Sequence, residues 1–390
     1  LGTRLGALTA TTPKPLLPVG DRPFLAWLMR EFVRFGVTEF VLLTGHLSDV
    51  VERAAADLRA RLPGDVRITI SAEPAPAGTA GALVNARDHL DDRFLLANGD
   101  TLFDANLARL LADAATDGPQ VAGRLLLRPP PEGARFSTVA LDGDRVTGFR
   151  RDGRDGPIHA GIGIFSRALL DRLPPAGSLE VDIFPALATE GALRGTVLTG
   201  YFRDIGVPAD YAAAQDEIPS LLRRRALFLD RDGVLNVDHG YVGSRDRFTW
   251  IDGARTAVRL ATEAGWHVFI VTNQSGVARG FYTEADVRAL LDWIADEVRV
   301  AEGTIDDTRF CPYHTEAQID AYRQAHPWRK PEPGMLLDLM RAWEIDPARA
   351  VMVGDQLTDM AAAQAAGIAG YLFPGGNLTE FLRPVLKGGA

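Results

Sequence analysis

The chain has 390 residues, 46% hydrophobic and 24% charged, which is enough to build two domains with separate cores. Its formal net charge of -9, with no basic stripe, argues against a general nucleic-acid binder. One cysteine, Cys311, excludes an intrachain disulfide, and no apolar run reaches the roughly 20 residues that span a bilayer, so the cytoplasm is the expected location.

In chain order, "LGTRLGALTATTPKPLLPVGDRPFL" (1–25) carries a Gly-Thr-Arg loop and a Pro-Lys-Pro before any strand. "EFVLLTG" (39–45) reads as a buried strand and "LSDVVERAAADLRARL" (47–62) as an amphipathic helix. "VRITISAE" (66–73) predicts a strand, 79–89 a helix, and "RFLLANGD" (93–100) a third strand ending at Asp100. This alternation implies a mostly parallel sheet covered by helices. From Gln120 the pattern changes to strands between turns. "TVALDGDRVTGFRR" (138–151) reads as a hairpin turning at Asp142-Gly143, followed by "HAGIGIFS" (159–166) and "LRGTVLTGYFRDIG" (193–206). Pro208 opens a helix that runs to Leu222.

A second alternating series follows: "ALFLD" (226–230), "WHVFIVTN" (266–273), "TRFCPY" (308–313), "AVMVGD" (350–355) and "AGYLF" (369–373), with helices between. A boundary at Leu222 divides the chain into domains 1–222 and 223–390. The short link has little Gly or Ser, which predicts docked domains. The triplet Arg223-Arg224-Arg225 reads as a solvated junction. The fold class is α/β, with two Rossmann-like domains, a mixed sheet first and a parallel sheet second.

"ALFLDRDGVLN" is the most specific stretch. Asp230 and Asp232 follow a buried strand at its C-terminal end, where open α/β sheets place ligands. Gly233 lets the chain turn sharply. Two carboxylates so spaced can hold Mg²⁺ between them and a phosphate, which offsets the repulsion facing an anionic nucleophile. Thr272 and Asn273 end a later strand and can donate to phosphate oxygens. Lys330 supplies a cation, and Asp355 supplies a metal ligand, with Asp359 four residues on and near the same site.

This ordered set resembles the haloacid dehalogenase (HAD) superfamily from Arg225 to the C-terminus. The resemblance implies that Asp230 is the nucleophile and forms an aspartyl-phosphate, with Asp232 as general acid and base. Thr272 and Lys330 then hold the phosphate, while Asp230, Asp355 and the Asp232 carbonyl hold Mg²⁺. "DRDGVLNVDHGYV", "TNQSGVARGFYTEADV" and "CPYHTEAQIDAYRQAHPWRKPEPGM" look like the branch of D-glycero-D-manno-heptose 1,7-bisphosphate 7-phosphatase, with histidinol phosphatase its near relative. Little sequence is left for a cap domain, so small loops form the mouth, and Arg279 on one of them is a candidate partner for a distal phosphate. Many relatives carry a Cys/His zinc cluster before the "RKP" lysine. Here Tyr313 and Trp328 stand where ligands are expected, so zinc is not expected. His314 and His326 read instead as hydrogen-bonded loop histidines braced by those aromatics.

In the first domain, Gly2, Thr3 and Arg4 offer backbone, hydroxyl and cation to a triphosphate. Lys14 is a cation on a proline-stiffened loop, and Asp100 and Asp204 end separate strands where they can share one Mg²⁺. Gly78 and Thr79 open a helix near where a base or ribose could rest. In this order the residues resemble the sugar-1-phosphate nucleotidyltransferases (GT-A-like) over Leu1 to Leu222. The resemblance implies that a sugar 1-phosphate attacks the α-phosphorus of an NTP and releases pyrophosphate. Arg4 and Lys14 then stabilise phosphates, Asp100 and Asp204 hold the metal, and Gly161 and Glu180 match sugar-contacting segments. His159 stands where the family often has Asn. The family's first strand, central in its sheet, is not in this chain, which reads as an incomplete sequence with exposed backbone on both neighbouring strands.

The two halves fit one route: removal of the 7-phosphate from heptose 1,7-bisphosphate, then activation of the heptose 1-phosphate for surface polysaccharide. The alternatives are a regulatory, non-catalytic first domain that binds nucleotide or sugar, or a phosphatase for another phosphosugar or histidinol phosphate. The partners are phosphosugar and NTP, without nucleic acid or membrane; the base and the oligomeric state stay open.

Overall fold

Four consecutive apolar residues bury a strand on both faces, the condition for the middle of a parallel sheet. Ala226–Leu229 meets it, with every residue buried. In the computed structural model, which describes residues 3–130, 136–153 and 156–388, this strand is central in a five-stranded parallel sheet. The spatial order is Asp307–Cys311, His267–Asn273, Ala226–Leu229, Ala350–Gly354 and Ala369–Leu372. Helices Ala254–Glu263, Glu284–Val300, Gly334–Ala342, Leu357–Ala366 and Leu378–Gly388 accompany it. Glu284–Val300 begins with a capping box between Thr283 and Asp286, which satisfies amides at its first turn.

Inter-residue contacts divide the chain into two compact units, Leu1–Val33 with Val37–Ser220, and Arg34–Gly36 with Leu221–Ala390. Arg224 is only 5% exposed and donates to the Gly265 carbonyl, so the middle of the basic triplet is not solvated, whereas Arg223 is exposed. Burial of the Arg224 stem wins over exposure of its charge.

The first unit is mixed. Its six-stranded sheet runs in the order Arg93–Ala97, Ile158–Ser166, Gly123–Arg128, Leu193–Val197, Arg145–Gly153 and Phe136–Asp142. Arg93–Ala97 pairs antiparallel with Ile158–Ser166, so the sheet is mixed, as the fold class expects, although the alternation over 39–100 taken alone implies parallel strands. Glu39–Thr44 and Arg67–Ala72 form a separate two-stranded parallel sheet. Phe40 to Leu43 and Phe94 to Ala97 are apolar yet only half-buried. Among the described residues, Glu39–Thr44 and Arg93–Ala97 each pair along a single edge.

Two elements differ from the pattern reading. The helix over 79–89 is Gly78–Asn85 followed by a 3-10 turn, Arg87–His89. The segment 193–206 is two strands, Leu193–Val197 and Tyr201–Asp204, the second paired antiparallel with Thr101–Asp104. At Gly200, between them, a Cβ would lie 1.9 Å from the Asp104 carbonyl oxygen, so a tight turn separates the two sheets. Helices Phe24–Arg34, Leu107–Ala115 and Phe184–Thr189 and the strand Gly123–Arg128 are further elements that the sequence pattern did not single out.

Candidate active sites

In the second unit, Asp230 continues the ladder of the central strand: its N–H donates to the Val353 carbonyl at 2.9 Å. Its carboxylate thus emerges at the C-terminal end of the sheet, where strand order places a crevice. Lys330 Nζ lies 2.9 Å from Asp230 Oδ2 and also donates to the Val271 carbonyl. Asn273 and Lys330 exchange two hydrogen bonds, side-chain amide to backbone, at 3.0 and 3.1 Å. Asn273 was expected to donate to phosphate, and its geometry is instead that of a clip holding the lysine loop to the strand.

Burial raises Asp230 above the ordinary carboxylate range, opposed by the Lys330 ammonium and reinforced by Asp359. Burial works against the charge on Lys330, but Asp230 and Asp359 outweigh it and hold the ammonium above its usual range. Asp355 is raised as well, first by burial and then by repulsion from Asp359.

Asp230, Asp355 and Asp359 bring ligand oxygens within 4.8 Å of one another. The Asp355 Oδ1 atom is buried with no hydrogen-bond partner. Gly233, at φ 80°, lies against this carboxylate: a Cβ there would sit 2.3 Å from Asp355 Oδ2. Asp359 belongs to the group by distance, yet its oxygens already face Lys330 and the Gln356 N–H. Hard anionic oxygens, one of them orphaned, with a single ammonium among three carboxylates, fit a Mg²⁺ site.

Asp232 points to a different set of partners. Arg231, fully buried, donates to both of its oxygens, at 2.9 and 2.8 Å, and Asn236 and Gln274 each donate at 2.9 Å. Thr272 is 1% exposed and joined to the same network through Gln274.

Two guanidiniums of this unit, Arg279 and Arg329, lie near each other. Arg279 lies over the Tyr241 ring at 5.7 Å, and its Nε is buried without a hydrogen-bond partner. Arg329 precedes Lys330 and donates to the Tyr313 carbonyl at 3.2 Å. Burial and the nearby Arg279 charge lower its pKa. Neither arginine has a carboxylate partner among the described residues. Arg329 was missed by the sequence reading, although it adjoins the lysine that was chosen. His314 Nδ1 accepts from the Glu316 N–H and His326 Nδ1 from the Trp328 N–H, and Tyr313 stacks on His326 at 4.3 Å. Cys311 is buried, which raises its thiol pKa.

In the first unit, pairing of Asp204 with Thr101 sets it beside Asp100. Lys14 Nζ bridges the two carboxylates, 2.6 Å from Asp100 Oδ2 and 3.2 Å from Asp204 Oδ1. Gly161, at φ 76°, abuts Asn98: a Cβ would lie 2.7 Å from Asn98 Nδ2. The Asn98 N–H donates to the Gly161 carbonyl, which ties this strand to the Asp100 loop. Thr79 donates to Glu180 at 3.4 Å and accepts from the Leu179 N–H, while Gly78 leaves space for the Gly177 carbonyl. His159, on the strand with Gly161, meets Phe184 edge-on at 5.8 Å. Within the first unit, ion pairs thus join Lys14, Asp100 and Asp204, and a hydrogen bond joins Thr79, next to Gly78, to Glu180. Gly2 and the side chains of Thr3 and Arg4 lie outside the described residues. Among the described residues, no helix is long and apolar enough to cross a membrane.

Residues 1–220 match the nucleotidyl transferase family, and residues 327–381 match the HAD-hydrolase-like family. The D-glycero-beta-D-manno-heptose-1,7-bisphosphate 7-phosphatase of Rhodopseudomonas palustris is 51% identical over 164 residues, 42% of this chain and 91% of that protein. The Escherichia coli K12 protein of the same description is 45% identical over 143 residues, 37% of this chain and 75% of that protein. Among solved structures, HddC from Yersinia pseudotuberculosis is 25% identical, covering 56% of this chain and 95% of its own, with a TM-score of 0.48. The chain belongs to the nucleotidyl transferase family through its first unit and to the HAD heptose-bisphosphate phosphatase family through its second.

Proposed function

We propose that the second unit hydrolyses the 7-phosphate of D-glycero-D-manno-heptose 1,7-bisphosphate and that the first couples the resulting heptose 1-phosphate to an NTP, in the cytoplasm. The observation that carries this reading is the pair of carboxylate-free guanidiniums, Arg279 and Arg329, close enough to feel each other's charge, with Arg329 preceding Lys330 in the chain. A monophosphate needs one anion site. Two further cations, one with an orphaned buried donor, suit a substrate with a second phosphate.

In the hydrolysis, Asp230 attacks phosphorus and the bond to the sugar oxygen breaks. Asp232 gives that oxygen its proton. A water then attacks the aspartyl-phosphate, Asp232 takes the water's proton, and the bond to Asp230 breaks to release inorganic phosphate. Lys330 and Thr272 hold the phosphoryl oxygens. Mg²⁺ on Asp230, Asp355 and the Asp232 carbonyl would neutralise charge between nucleophile and phosphate.

In the transfer, a phosphate oxygen of the sugar 1-phosphate attacks the NTP α-phosphorus, and the α–β bridging bond breaks to release pyrophosphate. Lys14 and Arg4 would stabilise the phosphates, Asp100 and Asp204 would hold Mg²⁺, and Gly78, Thr79, Gly161 and Glu180 would bound the nucleoside and sugar. The divided sheet of this unit favours a second reading, in which it binds nucleotide or sugar without turnover.

The test is a phosphorus NMR time course with heptose 1,7-bisphosphate, Mg²⁺ and mixed NTPs, with Asp230→Asn as control. Phosphate followed by pyrophosphate and a sugar-nucleotide signal supports both activities. Phosphate alone selects the second reading. Phosphate release that is absent, or that survives Asp230→Asn, overturns the phosphatase assignment.

A further inference from the structure

We infer that Tyr282 is a positioning residue for the phosphatase reaction, acting through the Gln274 amide to fix the carboxylate of Asp232. This rests on the phosphatase reading above. Gln274 is 1% exposed, and its Nε2 donates both to Asp232 Oδ2 and to Thr272 Oγ1, each at 2.9 Å. Its remaining polar atom, Oε1, accepts from the Tyr282 hydroxyl at 3.0 Å. In this arrangement Nε2 faces Asp232, whose ionised carboxylate only accepts, and Oε1 finds its donor elsewhere. Tyr282 is that donor, and burial pushes its phenol up to about 12, which keeps the proton on the oxygen.

The ring is seated to deliver this one hydroxyl. A Cβ at Gly243 would lie 2.2 Å from Tyr282 Cδ1, and one at Gly276 would lie 2.2 Å from Tyr282 Cζ. Two glycines, Gly243 in a loop and Gly276 in the short helix Ser275–Ala278, thus make room for one tyrosine.

Loss of the hydroxyl leaves Oε1 buried and unsatisfied, so the amide rotates to recover a partner. The Thr272 hydroxyl can donate as well as accept and tolerates that rotation. Asp232 does not: ionised, it is repelled by the carbonyl oxygen, and protonated, it directs its proton to that oxygen instead of to the leaving oxygen. The defect therefore concentrates on the proton that Asp232 gives to the leaving oxygen, not on the phosphate held by Thr272.

That selectivity is measurable, because a nitrophenolate leaves without a proton whereas a sugar alkoxide does not. In the full chain, Tyr282→Phe keeps the ring and its seat. It is expected to lower kcat/KM for the heptose bisphosphate roughly tenfold and for p-nitrophenyl phosphate by less than about twofold. Gln274→Glu, which sets a carboxylate against Asp232, is expected to show the same split and serves if Tyr282→Phe does not fold. Equal losses on both substrates, or no loss on either, overturn the inference. Wild-type phosphate release that survives Asp230→Asn overturns the phosphatase reading itself, and is told apart because that control leaves Tyr282 in place.

Discussion

Lys330 Nζ lies 2.7 Å from Asp359 Oδ1, with the two side chains 2% and 1% exposed. An ammonium so deeply placed stays charged only while its carboxylates stay charged. Asp359→Asn removes one partner of a buried pair and is expected to lower stability by about 3 kcal/mol in urea unfolding. It is also expected to slow phosphate release roughly 10²-fold, because Lys330 loses the anchor that aims it at the transferring group.

The two arginines give a prediction that separates binding from chemistry. Arg279→Ala and Arg329→Ala are each expected to raise KM for a sugar bisphosphate by roughly tenfold or more, from loss of a charge-assisted contact. For p-nitrophenyl phosphate, which has no second phosphate, KM is expected to stay within about twofold. Steady-state kinetics on both substrates checks this, and equal losses would make the arginines structural.

In the first unit, Lys14 holds Asp100 and Asp204 together. Lys14→Met leaves two neighbouring carboxylates without their bridging cation and, under the proposed function, removes a phosphate contact. Pyrophosphate release is expected to fall roughly 10²- to 10³-fold. Phosphate release from the bisphosphate in the same preparation is expected to be unchanged.

His159 makes this unit sensitive to acid. Burial lowers its pKa below the ordinary value, with Glu180 and the Ile162 carbonyl opposing. The folded state then binds a proton less readily than the unfolded chain, so stability is fully present above about pH 6.5 and declines as pH falls through that value. Hydrogen exchange of peptides covering 158–166 should show protection lost between pH 7.5 and 5.5. His159→Asn should flatten that dependence, and an equally steep loss in the variant would assign the effect to other groups.

Much of the second unit was legible because its chemistry sits where strands stop. An apolar run followed by Asp, Thr or Gly-Asp marks a strand end directly, and Asp230, Thr272 and Asp355 each follow such a run. Side-chain partnerships left no such mark. Gln274 and Asp232 are 42 residues apart and meet only because their strands are neighbours. Asn273 looked like a phosphate donor by position, but its amide geometry is set by a loop 57 residues away. In the first unit, the periodicity of Glu39–Thr44 and Arg93–Ala97 identified strands without revealing which edges find partners. Arg224 shows the same limit, since composition cannot distinguish a solvated guanidinium from one lying along a protein carbonyl.

The seat of Tyr282 carries a consequence for descent. Gly243, Gly276 and the tyrosine ring share one volume, with no space for a methyl group at either glycine. Any lineage that gains a side chain at one glycine must first shrink the ring, and one that shrinks the ring frees both glycines to drift. The three positions are therefore expected to change as a set among homologues, with the glycines variable wherever the aromatic is gone.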